Sequence, residues 1–530
     1  MSVHHVLIDG EWRAAEGTER FRAVEPATAS PIDEWYPVSA RSDLERAIEA
    51  GAEAARDLAE LPDEARARFL ERYADLIEGA KDALVASAHR ETALPASPRL
   101  ADVELPRTTG QLRLAANAAR SGAWAQPTID TRNNVRSIFG PLGGPVVIFG
   151  PNNFPLAFNS ISGGDFAAAI AAGNPVIAKG HPAHPTTTRL LAELAAQAVI
   201  DTGLPPASVQ LVYHMAPDDG LWLVSDPRVG ATAYTGSRRS GLALKAAADE
   251  AGRPIYLELG SINPVFVLPN ALRERADEIA KEYVTSALMG AGQFCTNPGI
   301  VVLLATPEAD AFLDAVRERF EKMPTGTLLD EGTCVRLGES VAALERSGAE
   351  VVTGGMRDDG AGFRFRNTLL RTTGARFLAS PEELQREAFG PAGLFVFAGD
   401  DSEMEAIASV LEGSLTGTFY TARDDSDDVL YERLEKLVRP RVGRLLNDKM
   451  PTGVAVSPAM NHGGPFPATG HPGFTAVGIP RSLLRFAQLR SYDNVRDSRL
   501  PAALRDRNPT GELPRSIDGE WTTKDIGESS

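Results

Sequence analysis

The spacing of apolar positions changes character along the chain. From Ser42 to about Arg90, Ala and Leu recur at helical spacing among Glu and Arg, as in "LERAIEAGAEAARDLAEL", which predicts two or three amphipathic helices. From Gly144 the pattern becomes short β-branched or aromatic runs that end in turn residues: "PVVIFG", "NPVIAKG", "SVQLVY", "GATAYTG", "PIYLEL" and "NPVFVL". Most of them alternate with Ala- and Leu-rich stretches of helical length, such as "TTTRLLAELAAQAVIDTG" and "SRRSGLALKAAADEAG". This alternation predicts an α/β fold on a mostly parallel, doubly wound sheet, with ligands at the carboxyl ends of its strands. A second series opens with the helix "ALRERADEIAKEYVTSALMG", so a boundary near Ser261 is expected. After Arg439 the segment "PTGVAVSPAMNHGGPFPATGHPGFTAVG" is too dense in Gly and Pro for regular elements, and long structured loops often carry function. The pentapeptide "IDGEW" occurs at Ile8 and again at Ile517, which is coincidence or an edge hairpin motif and too brief for a repeat architecture.

Composition narrows the function classes. A chain of 530 residues exceeds what one core supports, so two large domains or three units are expected. With 54 Lys and Arg against 71 Asp and Glu, the net charge of −17 opposes binding to phosphate backbones or anionic membranes. The only two cysteines, Cys295 and Cys334, cannot build a disulfide framework, which fits a reducing cytoplasm. No signal peptide is visible in "MSVHHVLIDGEW", and Gly, Pro and Lys break every apolar stretch short of the ~20 residues that span a bilayer. A cytoplasmic protein is therefore expected.

Cys295 lies in "GAGQFCTNPG", where glycines allow close approach of backbone N–H groups to a reacting atom. Local context alone leaves a nucleophilic thiolate and a half-buried structural thiol both open. Glu258 ends the apolar strand "YLELGSINP", where a carboxylate must be solvated, paired or functional. One strand and one helix separate the two, so both can project into one cleft. No strand is followed by G-x-G-x-x-G, but "YTGSRRSG" puts Gly236, Ser237 and Gly241 at a strand-to-helix junction suited to a pyrophosphate, or simply to a tight turn. His181 and His184 in "GHPAHP" have no further ligands nearby in the sequence, and no metal is expected.

Taken in order, "PNNFP", "YTGS", "LELGSINP", "GQFCTNPG" and "REAFGP" resemble the motifs of the NAD(P)-dependent aldehyde dehydrogenase superfamily, over roughly residues 7 to 490. The segments "ELPRTTGQLRL", "FPLAFNSISGGDFAAAIAAGNPVIAKGHPAHP", "ELGSINPVFVLP" and "MNHGGPFPATG" are most similar to one subgroup, the α-ketoglutaric semialdehyde (2,5-dioxopentanoate) dehydrogenases and the related NADP-dependent long-chain aldehyde dehydrogenases. Ser261 and Ile262 replace the Gly and Lys of many other members, in agreement with that subgroup.

The resemblance implies a Rossmann-type cofactor domain (1–122 and 143–260), an α/β catalytic domain (261–473) with late segments returning to the cofactor domain, and a small β oligomerisation arm (123–142 and 474–490), with 491–530 as a C-terminal extension. Homodimers or homotetramers acting on a small-molecule aldehyde follow. Cys295 would attack the aldehyde, Asn153 and the Cys295 N–H would hold the oxyanion, and Glu258 would activate the hydrolytic water. Pro151, Asn152, Lys179, His181, Pro182, Gly236, Ser237, Gly241, Leu259, Glu387 and Phe389 would line the cofactor, with Lys179 on the adenosine ribose and Glu387 on the nicotinamide ribose. Pro182 stands where many NAD-preferring members carry a Glu that repels a 2′-phosphate, so NADP is expected to be accepted and preferred, with NAD as the alternative.

A helix after Asn153 would turn Ala157, Phe158, Ile161 and Ser162 toward the aldehyde tunnel. None of these is a cation for a substrate carboxylate; Arg107, on an earlier helix, is a candidate against the commoner structural role of an Arg. Competing readings are a long-chain aldehyde dehydrogenase, a cofactor-independent thiol esterase or acyltransferase using Cys295 and Glu258, and a non-enzymatic protein keeping the fold.

Overall fold

The computed structural model describes residues 3–473 and 475–527; residue 474, where the expected arm segment begins, lies outside them. Three amphipathic helices, Arg41–Glu60, Asp63–Gly79 and Lys81–Thr92, follow the helical spacing of the N-terminal region. They pack with Leu105–Ser121 and Pro185–Thr202 around the larger apolar core.

That core carries a seven-stranded sheet. Its parallel part runs in the spatial order Ile255–Glu258, Ala231–Thr235, Val146–Phe149, Val176–Lys179, Val209–Val212. The chain lays down Val146–Phe149 first, moves outward over two strands, then returns to the other side of the first. The order therefore reverses between Val146–Phe149 and Ala231–Thr235, where diverging loops open a crevice. Pro151, Asn152 and Asn153 follow one of these strands, and Gly236 and Ser237 the other.

The second seven-stranded sheet has the order Glu350–Thr353, Thr368–Thr373, Ala392–Ala398, Ile300–Leu304, Val265–Val267, Ser414–Tyr420, Val442–Asn447. Only its edge strand Glu350–Thr353 is antiparallel. Helix Pro269–Leu288 leads from Val265–Val267 back to the start of Ile300–Leu304, so Cys295 lies on the approach to that strand. The described residues of 451–480 form no helix or strand, and this segment pairs with the edge strand of the first sheet through Glu258 and Thr469. No helix among the described residues is long and apolar enough to cross a membrane.

The "IDGEW" echo marks two hairpins of the same kind. Asp9 and Gly10, then Asp518 and Gly519, all have positive φ, the conformation of the tight two-residue hairpin turn. The first hairpin extends the first seven-stranded sheet through Leu7 against Leu211; the second joins a separate five-stranded sheet through Ile517 against Ile129. That sheet also contains Thr128–Asp130, Val135–Pro141 and Ala487–Asp493, and the segment after 491 supplies two of its strands.

Arg515, fully buried, anchors this return by donating to the carbonyls of Arg505, Asp506 and Lys524. Replacing Arg515 by Met strands those acceptors away from water. We expect amide exchange over residues 515–522 to accelerate about 100-fold, equivalent to ~3 kcal/mol of local stability. Unchanged protection measured by mass spectrometry would contradict this anchoring role.

Candidate active site

The loop that presents Cys295 is built by left-handed backbone. Gly290, Ala291 and Gly292 have φ of 56°, 55° and 70°. A Cβ at Gly292 would stand 2.0 Å from the Gly390 carbonyl oxygen, so only glycine fits. Buried Asn263 then fixes the loop: its Nδ2 donates to the carbonyls of Cys295 at 2.8 Å and Asn297 at 2.9 Å. Its Oδ1 accepts from the hydroxyls of Ser261 at 2.9 Å and Thr416 at 3.0 Å. This one amide couples the end of the first sheet, the second sheet and the Cys295 loop. Sequence reading passed over it, because an Asn before Pro looks like an ordinary turn residue.

Glu258 lies buried at the end of its strand, as expected from the sequence. The neighbour that sequence reading did not assign is His462. The loop carrying it is stapled to the strand by Leu259 N–H to the Ala468 carbonyl at 2.8 Å, and His462 N–H donates to the Thr475 hydroxyl at 2.7 Å. The buried ring places Nε2 3.3 Å from the Cys295 sulfur and 2.8 Å from Glu258 Oε1. Burial opposes a charge on the ring, but the Glu258 carboxylate and Cys295 beside it outweigh that penalty and push the His462 pKa up to about 10. The Nε2–Oε1 approach is a close ion contact rather than an aligned hydrogen bond, so the Glu258 oxygens keep accepting capacity. Among the described residues, Glu258, Cys295 and His462 are the one group of potential metal donors that converge, with ligand atoms within 4.8 Å. A thiol, an imidazole and a carboxylate in line also suit nucleophilic and acid–base chemistry.

Asn153 donates from Nδ2 to the Gln293 carbonyl at 2.9 Å, two residues before Cys295. Its loop is held rigid by Glu104, which is fully buried, pairs with Arg99 and accepts the N–H groups of Leu156 and Ala157. Those contacts compete with helical bonding. The helix expected directly after Asn153 accordingly begins only at Gly164, and residues 154–163 form successive turns. Two expected tunnel residues therefore turn away: Ile161 packs in the main core and the Ser162 hydroxyl donates to the Leu156 carbonyl at 2.7 Å. Ala157 and Phe158 instead join Phe154 and Phe294 in an apolar cluster, with the Phe158 ring 6.0 Å from that of His462.

A cleft of roughly 910 Å³, counted to its open mouth, gathers Pro151, Asn152, Asn153, Gly236, Ser237, Glu258, Leu259, Cys295, Glu387 and Phe389. Ser237 caps helix Arg238–Glu250, so free N–H groups and the positive end of the helix face the opening. Glu387 comes within 2.0 Å of where a Cβ on Gly260 would lie; burial pushes its carboxyl up to about 7, opposed by the Ser261 N–H it accepts at 3.2 Å. Gly241 lies on that helix and packs under Leu259 without lining the cleft. Lys179, His181 and Pro182 lie outside it, after the neighbouring strand. Burial lowers Lys179 to about 8, and burial together with Lys179, His184, His214 and Arg336 holds His181 well below its usual range. Both ring nitrogens of His184 are engaged, with the Pro151 carbonyl at 3.0 Å and the Thr188 hydroxyl at 3.2 Å.

The aldehyde dehydrogenase family model matches residues 12–436. The chain is 40% identical over 538 aligned residues to α-ketoglutaric semialdehyde dehydrogenase 2 of Azospirillum brasilense, covering 97% of this chain and 98% of that one. It is 32% identical to α-ketoglutaric semialdehyde dehydrogenase of Acinetobacter baylyi, covering 97% and 98%. Aldehyde dehydrogenase C of Pseudomonas syringae, solved as a mutant with NAD+ and octanal, superposes with a TM-score of 0.79 at 22% identity, covering 92% of this chain and 96% of that one. The chain belongs to the aldehyde dehydrogenase family, NAD(P)-dependent enzymes that oxidise aldehydes.

Because the Glu258 carboxylate raises the His462 pKa from 6.5 toward about 10, the ring should hold both protons at pH 8. Nitrogen NMR of the labelled protein checks this, and in Glu258→Gln the titration should move back toward the ordinary ~6.5. A neutral His462 at pH 8 in the unmodified protein would show that burial prevails.

Proposed function

We propose that this enzyme oxidises α-ketoglutaric semialdehyde to 2-oxoglutarate, with NADP preferred over NAD. The substrate reading rests on the two full-length relatives, and the chemistry on one observation: His462 Nε2 bridges Cys295 at 3.3 Å and Glu258 at 2.8 Å.

In this mechanism the protonated His462 ring faces the Cys295 sulfur at 3.3 Å, and the nucleophile is the thiolate. The thiolate attacks the aldehyde carbon, forming a C–S bond while the carbonyl π pair moves to oxygen. The resulting alkoxide is held by an amide hydrogen of Asn153 and the Cys295 N–H, which is free of the helical ladder in this loop. A bound NAD(P) would supply the oxidant, and the cleft fits it: the opening at Ser237 suits a pyrophosphate, Glu387 the nicotinamide ribose and Phe389 the ring face. With the aldehyde C–H pair lost as hydride to that oxidant, the alkoxide pair would re-form the carbonyl and the acyl group would remain on Cys295 as a thioester. Glu258 takes a proton from water as its oxygen bonds the acyl carbon, the C–S bond breaks, and the departing thiolate again meets the imidazolium. The free carboxylic acid leaves.

NADP preference is supported by Lys179 at the end of strand Val176–Lys179. Its ammonium would meet a 2′-phosphate, and Pro182 brings no carboxylate to repel it. Assembly into dimers or tetramers is supported by the five-stranded sheet, whose edge strand Ala487–Asp493 exposes Leu489 and whose last strand exposes Trp521.

Two experiments test this reading. Glu258→Gln keeps shape but removes the base, so it should give a burst of NAD(P)H near one equivalent per site, then turnover slowed about 100-fold, with the acyl group on Cys295 visible as a mass adduct. Undiminished steady-state turnover would overturn the hydrolytic role. Measured kcat/KM should favour NADP over NAD by at least about 10-fold; a preference for NAD would mean that the Lys179 region does not read the 2′-phosphate.

A further inference from the structure

Helix Leu105–Ser121 places Arg107 at the apolar end of the active site. Its guanidinium carbon lies 5.1 Å from the Phe158 ring centroid, and that ring in turn lies 6.0 Å from the ring of His462. Arg107 Nη1 donates to the Val454 carbonyl at 2.9 Å. Nε and Nη2 are buried and have no partner. These two donors share one edge of the planar group, the edge that binds a carboxylate through two parallel bonds. Among the described residues no carboxylate comes within ion-pair distance of Arg107, whereas Arg99, on the same helix side of the site, pairs with Glu104. Buried donors are rarely left empty, since each costs about 1–3 kcal/mol.

Arg444 adds a second cation to the same 451–454 segment. It donates to the carbonyl of Pro451 at 2.9 Å, and no carboxylate pairs with it among the described residues. Burial lowers the pKa of both arginines, and Cys295 is among the charges that act on each of them, which puts both cations in the field of the nucleophile. Between them, Phe154, Phe158, Val454 and Met460 form an apolar wall suited to methylenes.

We propose that the Nε/Nη2 edge of Arg107 binds the carboxylate of a short ω-oxo acid whose aldehyde end is presented to Cys295, making Arg107 the residue that selects acidic aldehydes. The inference rests on the semialdehyde reading above and assigns its specificity to one side chain. A fatty aldehyde would leave this edge unpaired inside the protein, so the same contact that favours the acid disfavours the uncharged chain.

The test uses the full-length enzyme with NADP and two aldehydes, α-ketoglutaric semialdehyde and pentanal. The unmodified enzyme should prefer the semialdehyde. Arg107→Met should lower kcat/KM for the semialdehyde about 100-fold or more, chiefly through KM, and lower that for pentanal by no more than about threefold. Arg107→Lys should recover only part of the loss, because an ammonium lacks the two-pronged edge. NADP binding by fluorescence establishes that each variant is folded. Equal losses for both aldehydes would make Arg107 a support for the Val454 loop and overturn the proposal, as would a variant that retains its preference for the semialdehyde. An unmodified enzyme with no preference for the semialdehyde would instead overturn the substrate reading itself.

Discussion

One imidazole nitrogen stands between a thiol and a carboxylate, and the rest of the site is arranged around that placement. His462 Nε2 can give only one hydrogen, yet it faces both Cys295 at 3.3 Å and Glu258 at 2.8 Å. The Glu258 carboxylate and Cys295 beside the ring outweigh its burial and keep it charged. The proposed division of labour, with sulfur as nucleophile and carboxylate as base, depends on this shared charge.

Holding such a group demands stiffness from elements far apart in the chain. The carboxylate comes from the edge strand of the first sheet, the thiol from a left-handed loop before a strand of the second, and the imidazole from a segment without regular structure. Asn263 fixes the thiol loop through two carbonyls. The His462 loop is fixed by backbone pairing with Glu258's own strand, so the imidazole and carboxylate move as one unit. An irregular segment can serve here because side chains and strand edges satisfy its backbone groups.

The same loop closes the far end of the site. Arg107 and Arg444 each donate to carbonyls of residues 451–454, and Arg107 Nε and Nη2 and Arg444 Nε stay buried without a partner. The proposed chemistry at His462 and the proposed selection at Arg107 are thereby joined by a short stretch rich in Gly and Pro.

Much of the framework was legible without coordinates. Runs such as "PVVIFG" and "PIYLEL" became Val146–Phe149 and Ile255–Glu258, and the helical spacing before Arg90 became three helices, because period and turn chemistry are local properties of the chain. Cys295 and Glu258 stood out for the same reason: a thiol among glycines and a carboxylate ending an apolar strand are anomalies visible within a few residues. His462 carried no such mark, since a lone histidine in a Gly- and Pro-rich loop has no periodicity and gains its meaning from a strand two hundred residues earlier in the chain. Ile161 and Ser162 were misdirected because the helix assumed there lost its N–H groups to Glu104. The empty edge of Arg107 could be recognised only once its surroundings were known to lack a carboxylate. Sequence determined which elements form and which reactive groups exist; tertiary structure alone decided which of them share a field, because electrostatic coupling acts through space over a few ångströms and the chain order does not encode that proximity.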